Sequence, residues 1–211
     1  MTDEVLQSGH PFAGMKRRHY GAILADAPWH FQSWTNGRWK GDGKIFTPQK
    51  APEYHTMSVE QICALPVSDL AADDCALFTW GIWVMLPQCL EVIKSWGFEY
   101  KTCAFNWTKA DLTQIDMFKE TDDGQLGLGY WVRQNSEFCL IATRGNPKRL
   151  AANVRQAIIE RRREHSRKPD CVHERVERLI TGPYLELFAR QERPGWDVWG
   201  NETKKFNPQA A

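Results

Sequence analysis

The chain has 211 residues, 42% hydrophobic and 25% charged, which calls for a packed globular core in one domain of ordinary size. Net charge is +1, but between Arg144 and Lys168 nine Lys or Arg stand against only Glu160 and Glu164. Six cysteines, no two of them separated by two residues, exclude a zinc ribbon and a thioredoxin-type motif.

Residues 1–18 are polar, rich in turn formers, and read as a flexible leader without a signal-peptide pattern. Residues 20–26 form a buried strand, a short apolar run ended by a Pro-containing turn. Residues 30–52 carry Gly37, Gly41, Gly43, Pro48 and Pro52 and read as a long loop. Ser58 predicts the N-cap of a short helix, with Gln61 completing a capping box. A second strand is expected at 75–81 and a helix at 86–96, with Pro87 near its start and Gly97 past its end. Residues 98–107 alternate loosely as a strand, 111–129 form a loop, and 136–145 form a strand.

Residues 150–168 leave two readings open: Val154, Ala157, Ile158 and Ile159 make one helix face or a short strand before the basic run. A helix is expected at 170–180, ended by Gly182-Pro183, and a strand at 184–190. After "RPGWDVWGNE" the tail dissolves into polar residues, with 203–211 expected to be flexible. Alternating strands and helices predict an α/β sheet covered by helices, with ligands gathered at the carboxyl ends of the strands. No stretch is long and apolar enough to span a bilayer, so a cytoplasmic protein without a membrane partner is expected.

The first strand delivers Asp26-Ala27-Pro28-Trp29. An acid at a strand end is commonly only a turn former or a cap. Here it is joined by a carbonyl ahead of a proline and by a flat ring, a set that suits a planar base bearing an exocyclic amine. The Asp26 carboxylate and the Ala27 carbonyl can each accept one amine N–H, orienting the nitrogen and stabilising the positive charge that grows on it. Pro28 fixes its own φ and restrains Ala27, and Trp29 can stack on the base.

"DAPW" resembles the DPPW motif of the MTA-type adenine-N6 methyltransferases, the family of the eukaryotic mRNA N6-adenosine methyltransferase catalytic subunit. "YHTMSVEQI" (54–62), "LFTWG", "SWGFEY", "NWTK", "GYWVRQNSEFCLIATRGNP" (129–147), "HSRKPD" (165–170), "ELFAR" (186–190) and "WGNE" (199–202) are similar to its other blocks, in the same order. The likeness covers about residues 20–202. It implies a single-domain Rossmann-like methyltransferase over 19–202 in the permuted order, with the catalytic strand before the cofactor-binding strand. It also implies S-adenosylmethionine as donor and N6-methyladenine as product. DNA is the expected polymer, from the habit of compact prokaryotic and phage members. RNA, or a non-catalytic nucleic-acid-binding subunit, is the alternative, and a homo- or hetero-oligomer is possible.

By motif match Asp26, Ala27, Pro28 and Trp29 hold the target amine, and Tyr54 lies near the base. Lys168 faces the cofactor's carboxylate, Arg190 its ribose region, and Asn201 with Glu202 its adenosine end. The sequence departs from the pattern at Ala27, where the family has proline, and at Glu202, where the eukaryotic member has glutamine. A G-x-G-x-x-G fingerprint is absent. Arg161, Arg162 and Arg163, in the run before Lys168, are either a solvated face or phosphate ligands at the rim. Trp34, Arg38, Trp39 and Lys40 interleave aromatics with cations, which suits a loop gripping unstacked nucleotides or a lid. His55, His165 and His173 are widely spaced, and no metal is expected.

Overall fold

The computed structural model describes residues 4–30, 56–109, 134–164 and 167–207. Strand β1 (Tyr20–Ala25) is buried at every position, as its unbroken apolar run requires of a central strand covered on both faces. The other strands are β2 (Ala71–Gly81), β3 (Glu99–Thr108), β4 (Ser136–Arg144), β5 (Ala157–Ile159), β6 (Tyr184–Leu187) and β7 (Trp196–Trp199). They form one sheet in the order β5-β3-β4-β2-β1-β6-β7. Every pairing is parallel except those of β4, which runs against both β2 and β3.

Side chains alternate across the sheet. Ile23 and Ala25 face a layer made by α1 (Val59–Cys63) and α2 (Leu86–Ser95), while Ala22 and Leu24 face α3 (Cys171–Leu179). Helix α2 buries Cys89, Val92 and Ile93, the expected one-face spacing, and Gly97 beyond it takes φ 81°. The predicted capping box is present: Gln61 N donates to Ser58 Oγ at 3.2 Å, and Ser58 N donates to Gln61 Oε1 at 2.8 Å.

The connection β1 to β2 moves toward one edge of the sheet and β6 to β7 toward the other. The crevice between the carboxyl ends of β1 and β6 is therefore the topological switch point, where open α/β sheets bind ligands. Ala25 pairs with Leu187, so Asp26 and Phe188 leave the two strands side by side. Gly21 is needed near the other end of β1, because a Cβ there would stand 2.7 Å from the Thr181 carbonyl oxygen.

Several expectations are corrected and one open reading is settled. Strand β6 ends at Leu187, because Phe188 takes φ 61° and turns the chain out of the sheet. Residues 193–202, to which no element was assigned, contain β7, which pairs with β6 from Trp196 to Trp199. The stretch 150–168 yields a strand, β5, that buries only Ile158 and pairs with β3. Residues 4–18 are docked, not loose: Leu6 N donates to Met15 O at 2.9 Å, and Phe12 is fully buried against the Trp199 ring. Beyond β7, Phe206 N donates to Arg190 O at 3.0 Å, so residues up to 207 fold back on the body. Among the described residues no helix is long and apolar enough to cross a membrane.

Candidate active site

Four groups of alternating charge line up at the switch-point rim on the α3 face. Lys168, two residues before the N-cap of α3, donates to both oxygens of Asp26 at 2.8 Å and lies 3.3 Å from Glu137 Oε2. Lys109, just past β3, reaches the other Glu137 oxygen at 2.5 Å. Trp80 forms part of the bed, with Lys168 Nζ 5.6 Å from its ring centroid. Each of the four charged side chains is at least three-quarters buried.

Burial pushes the Asp26 carboxyl up from the usual range, and neighbouring Glu137 adds to this, while Lys168 and Arg190 pull against it. Burial also acts to lower Lys168, but Asp26 and Glu137 outweigh it and hold the ammonium well above its ordinary value. Glu137 is pushed up by burial and pulled down harder by Lys168 and Lys109, so its carboxyl lies below the ordinary range. Lys168 thus offsets part of the burial that raises Asp26.

The turn after Asp26 is tight. Trp29 N donates to the Ala27 carbonyl at 2.9 Å around Pro28, which makes a three-residue γ-turn. Met57 N donates to Pro28 O and His30 N to Met57 O, tying the turn to the segment ahead of α1. A carbonyl oxygen has two lone pairs, so Ala27 retains one for a ligand. Trp29 is 8% exposed and donates its indole N–H to the Trp80 carbonyl at 3.3 Å. The family proline is absent at 27, yet the surrounding hydrogen bonds hold the turn.

Across the crevice, the turn after β6 meets the turn after β7. Ala189 N donates to Trp199 O at 3.0 Å, and a Cβ on Gly200 would come within 3.0 Å of the Phe188–Ala189 backbone, so only glycine fits there. This close approach brings Arg190 Nε to 3.6 Å from Glu202 Oε2, with the exposed Asn201 alongside. Between the two turns lies a cleft lined by Asp26, Lys168, His173, Glu186, Phe188 and Arg190, among others. His173 Nε2 lies 2.8 Å from Glu186 Oε2, while its Nδ1 is buried and unpartnered.

The structure therefore brings Asp26, Lys168, Arg190 and Glu202 to one crevice. Arg161 and Arg162 are exposed on the adjoining loop, and Arg163 is half-buried, donating to Asp170 and the Lys168 carbonyl. Tyr54, Trp34, Arg38, Trp39, Lys40 and the 111–129 loop lie outside the described residues. Glu137 and Lys109 were missed by sequence reasoning. Each is a charge at the end of an apolar strand, but only the reversed direction of β4 carries Glu137 to the same rim as Asp26.

A mixed seven-stranded sheet with an acid-bearing turn and a charged cleft at its switch point defines the Rossmann-like methyltransferase class. Within that class the chain belongs to the MT-A70 family, whose sequence profile matches residues 20–202. It is 31% identical over 202 residues to the Type II methyltransferase M.MunI of a Mycoplasma species, covering 90% of this chain and 81% of that one. It is 28% identical to the N(6)-adenosine-methyltransferase MT-A70-like protein of Drosophila melanogaster, and 26% identical to the human N(6)-adenosine-methyltransferase catalytic subunit METTL3. Those two matches take in 87% of this chain but only 27% and 28% of the eukaryotic proteins.

Proposed function

We propose that the chain transfers a methyl group from S-adenosylmethionine to the N6 amine of adenine in DNA. The observation that carries this reading is the buried Asp26, paired with Lys168, on a γ-turn at the switch point. A type II methyltransferase relative, matched over 81% of its length, supports DNA as the polymer.

The cleft suits the cofactor by its donor set. Lys168 can exchange one carboxylate for another, and the Arg190–Glu202 pair offers both a donor and an acceptor to ribose hydroxyls or a purine edge. Asn201, alongside, adds an amide to that adenosine end. When bound, S-adenosylmethionine supplies an electrophilic methyl whose bond to sulfur breaks as the bond to N6 forms.

Asp26 accepts one amine N–H and the Ala27 carbonyl the other, which fixes the amine's orientation and lets positive charge develop on it. Lys168 would meet the cofactor's carboxylate from beside Asp26. Burial raises the Asp26 carboxyl above its ordinary range even with Lys168 in place, which suits it to hold the proton that leaves N6 before passing it to solvent. Trp29, pinned by its bond to the Trp80 carbonyl, is the ring proposed to stack on the base. The Asp26–Ala27–Pro28–Trp29 turn is the catalytic element, with Tyr54 assigned to the base.

Methyl transfer from labelled cofactor to single- and double-stranded DNA and matched RNA tests the reading, with products digested to nucleosides. N6-methyladenine from the wild type and none from Asp26→Ala is the expected result. Preference for RNA would reassign the polymer. No transfer despite cofactor binding would reduce the chain to a binding subunit.

A further inference from the structure

Three arginines from two separate loops converge on one carboxylate at the mouth of the cleft. Asp170 Oδ2 accepts Arg163 Nη1 at 2.5 Å and Arg167 Nη2 at 3.5 Å, and its Oδ1 accepts Arg193. Arg163 also donates to the Lys168 carbonyl at 3.0 Å, which couples the cluster to the residue that holds Asp26. Arg167 is spread over Glu164, Gln191 and the Phe206 ring, which its guanidinium faces at 5.3 Å. Asp170 itself is pushed up by burial but pulled below the ordinary carboxylate range by Arg163 and Arg193.

Two features point outward from this cluster to a ligand. The Arg167 side chain is 20% exposed, yet its Nε is buried with no acceptor, a donor left over inside the cleft wall. Counting Arg162, exposed on the same loop, four guanidiniums stand against Glu160, Glu164 and Asp170 among the described residues. Guanidinium forks match phosphate oxygens in geometry and charge. The cofactor of the proposed reaction carries no phosphate, and Lys168 is at hand for its single carboxylate, so this cluster is surplus to it.

We propose that Asp170 gathers Arg163, Arg167 and Arg193 into a clamp for a backbone phosphate of the nucleic-acid strand beside the target adenosine. The clamp rests on the reading of the chain as a nucleic-acid methyltransferase and adds to it the residues that set the strand's register. Asp170 acts as a positioning residue. It aligns the forks before the strand arrives, so the strand does not have to immobilise three long side chains.

The test pairs protein variants with uncharged linkages. Binding of an adenine-containing oligonucleotide is followed by fluorescence anisotropy from 50 to 200 mM salt, for wild type and for Arg163→Ala, Arg167→Ala and Arg193→Ala. Each lost phosphate contact lowers the slope of log K against log salt by about 0.7 to 0.9. Wild-type affinity changes over that salt range by roughly 3-fold more than a variant's, as the same slope implies. Arg178→Ala, on the far part of α3, leaves the slope unchanged.

A single methylphosphonate walked along the phosphates flanking the adenine locates the contact in the wild-type protein without any substitution in it. That linkage and Arg193→Ala are expected to be redundant, the second giving no further loss once the first is present. The proposal falls if no flanking methylphosphonate weakens wild-type binding, or if its effect adds fully to that of every arginine variant. It falls also if inorganic phosphate at matched ionic strength displaces the strand, since the cluster would then be a free-phosphate site. Redundancy without N6 methylation would keep the clamp and overturn the adenine reading, and methylation without redundancy would do the reverse.

Discussion

Among the described residues Asp26 is ion-paired with Lys168, which it shares with Glu137, and Glu137 is held in turn by Lys109. Removing Lys168 leaves two carboxylates in one poorly hydrated pocket. Lys168→Met is therefore expected to cost about 3–5 kcal/mol in urea denaturation at pH 7, the range for an uncompensated buried charge. The double variant Asp26→Asn/Lys168→Met should be more stable than Lys168→Met alone, because the stranded charge is gone as well. If the double variant is the less stable of the two, the pair is not coupled as the 2.8 Å contacts require.

Glu137 contributes to the acid limb of stability. Its folded-state pKa lies below the unfolded one, so the folded protein holds fewer protons on it. The resulting stability is fully present above the ordinary value of 4.5 and is lost as pH falls below it toward the folded value. Glu137→Gln should flatten that acid limb. The stability gap between wild type and variant, followed by urea unfolding from pH 7 to pH 3, should narrow below about 4.5. A gap independent of pH would mean that Glu137 acts through shape alone.

Elements were legible in the sequence where local chemistry decides them. The Ser58–Gln61 box started α1 as expected, and Pro87 with Gly97 bounded α2, because caps and breakers act within one turn. The elements that were not legible depend on distant partners. β7 is four residues long and exists because β6 offers it an edge. Phe188 ends β6 in a left-handed conformation that no sequence rule assigns to phenylalanine. The N-terminal segment was read as loose because its composition is polar, but a single ring, Phe12, decides its fate by entering the core beside Trp199. Phe12→Ala should cost about 3–5 kcal/mol, the range for deleting a buried aromatic ring. It should also expose residues 4–18 to fast hydrogen exchange. A loss of a few tenths of a kcal/mol would restore the loose leader.

At the scale of the whole molecule the site was only half readable. Asp26 and Lys168 are 142 residues apart and were joined in advance only by resemblance to a family. Glu137 escaped because the direction of β4 is a property of the sheet and not of any segment. The assembled architecture carries a further consequence for the substrate. Asp26 and Lys168 are only 22% and 17% exposed, recessed below the arginine rim between two strand ends and the approach to α3. A base stacked in a duplex cannot reach an acceptor at that depth, so the target adenine must be unpaired and swung out, at a cost of a few kcal/mol.

If this chain bears that cost during turnover, weakening the pair in the substrate should relieve it. Duplexes in which the adenine faces a mismatch or an abasic site should be methylated with kcat/KM raised about 10-fold over the matched duplex, roughly 1.4 kcal/mol of relieved unpairing. The gain should appear in kcat/KM and not in cofactor affinity, which calorimetry on the protein without DNA measures separately. Equal rates on matched and mismatched duplexes would mean that opening the pair is not part of the barrier, and that a loop or a partner chain drives the base out beforehand. A single strand used faster than any duplex would place the whole obstacle in the double helix, leaving Asp26, Lys168 and the arginine rim to act on bases already free.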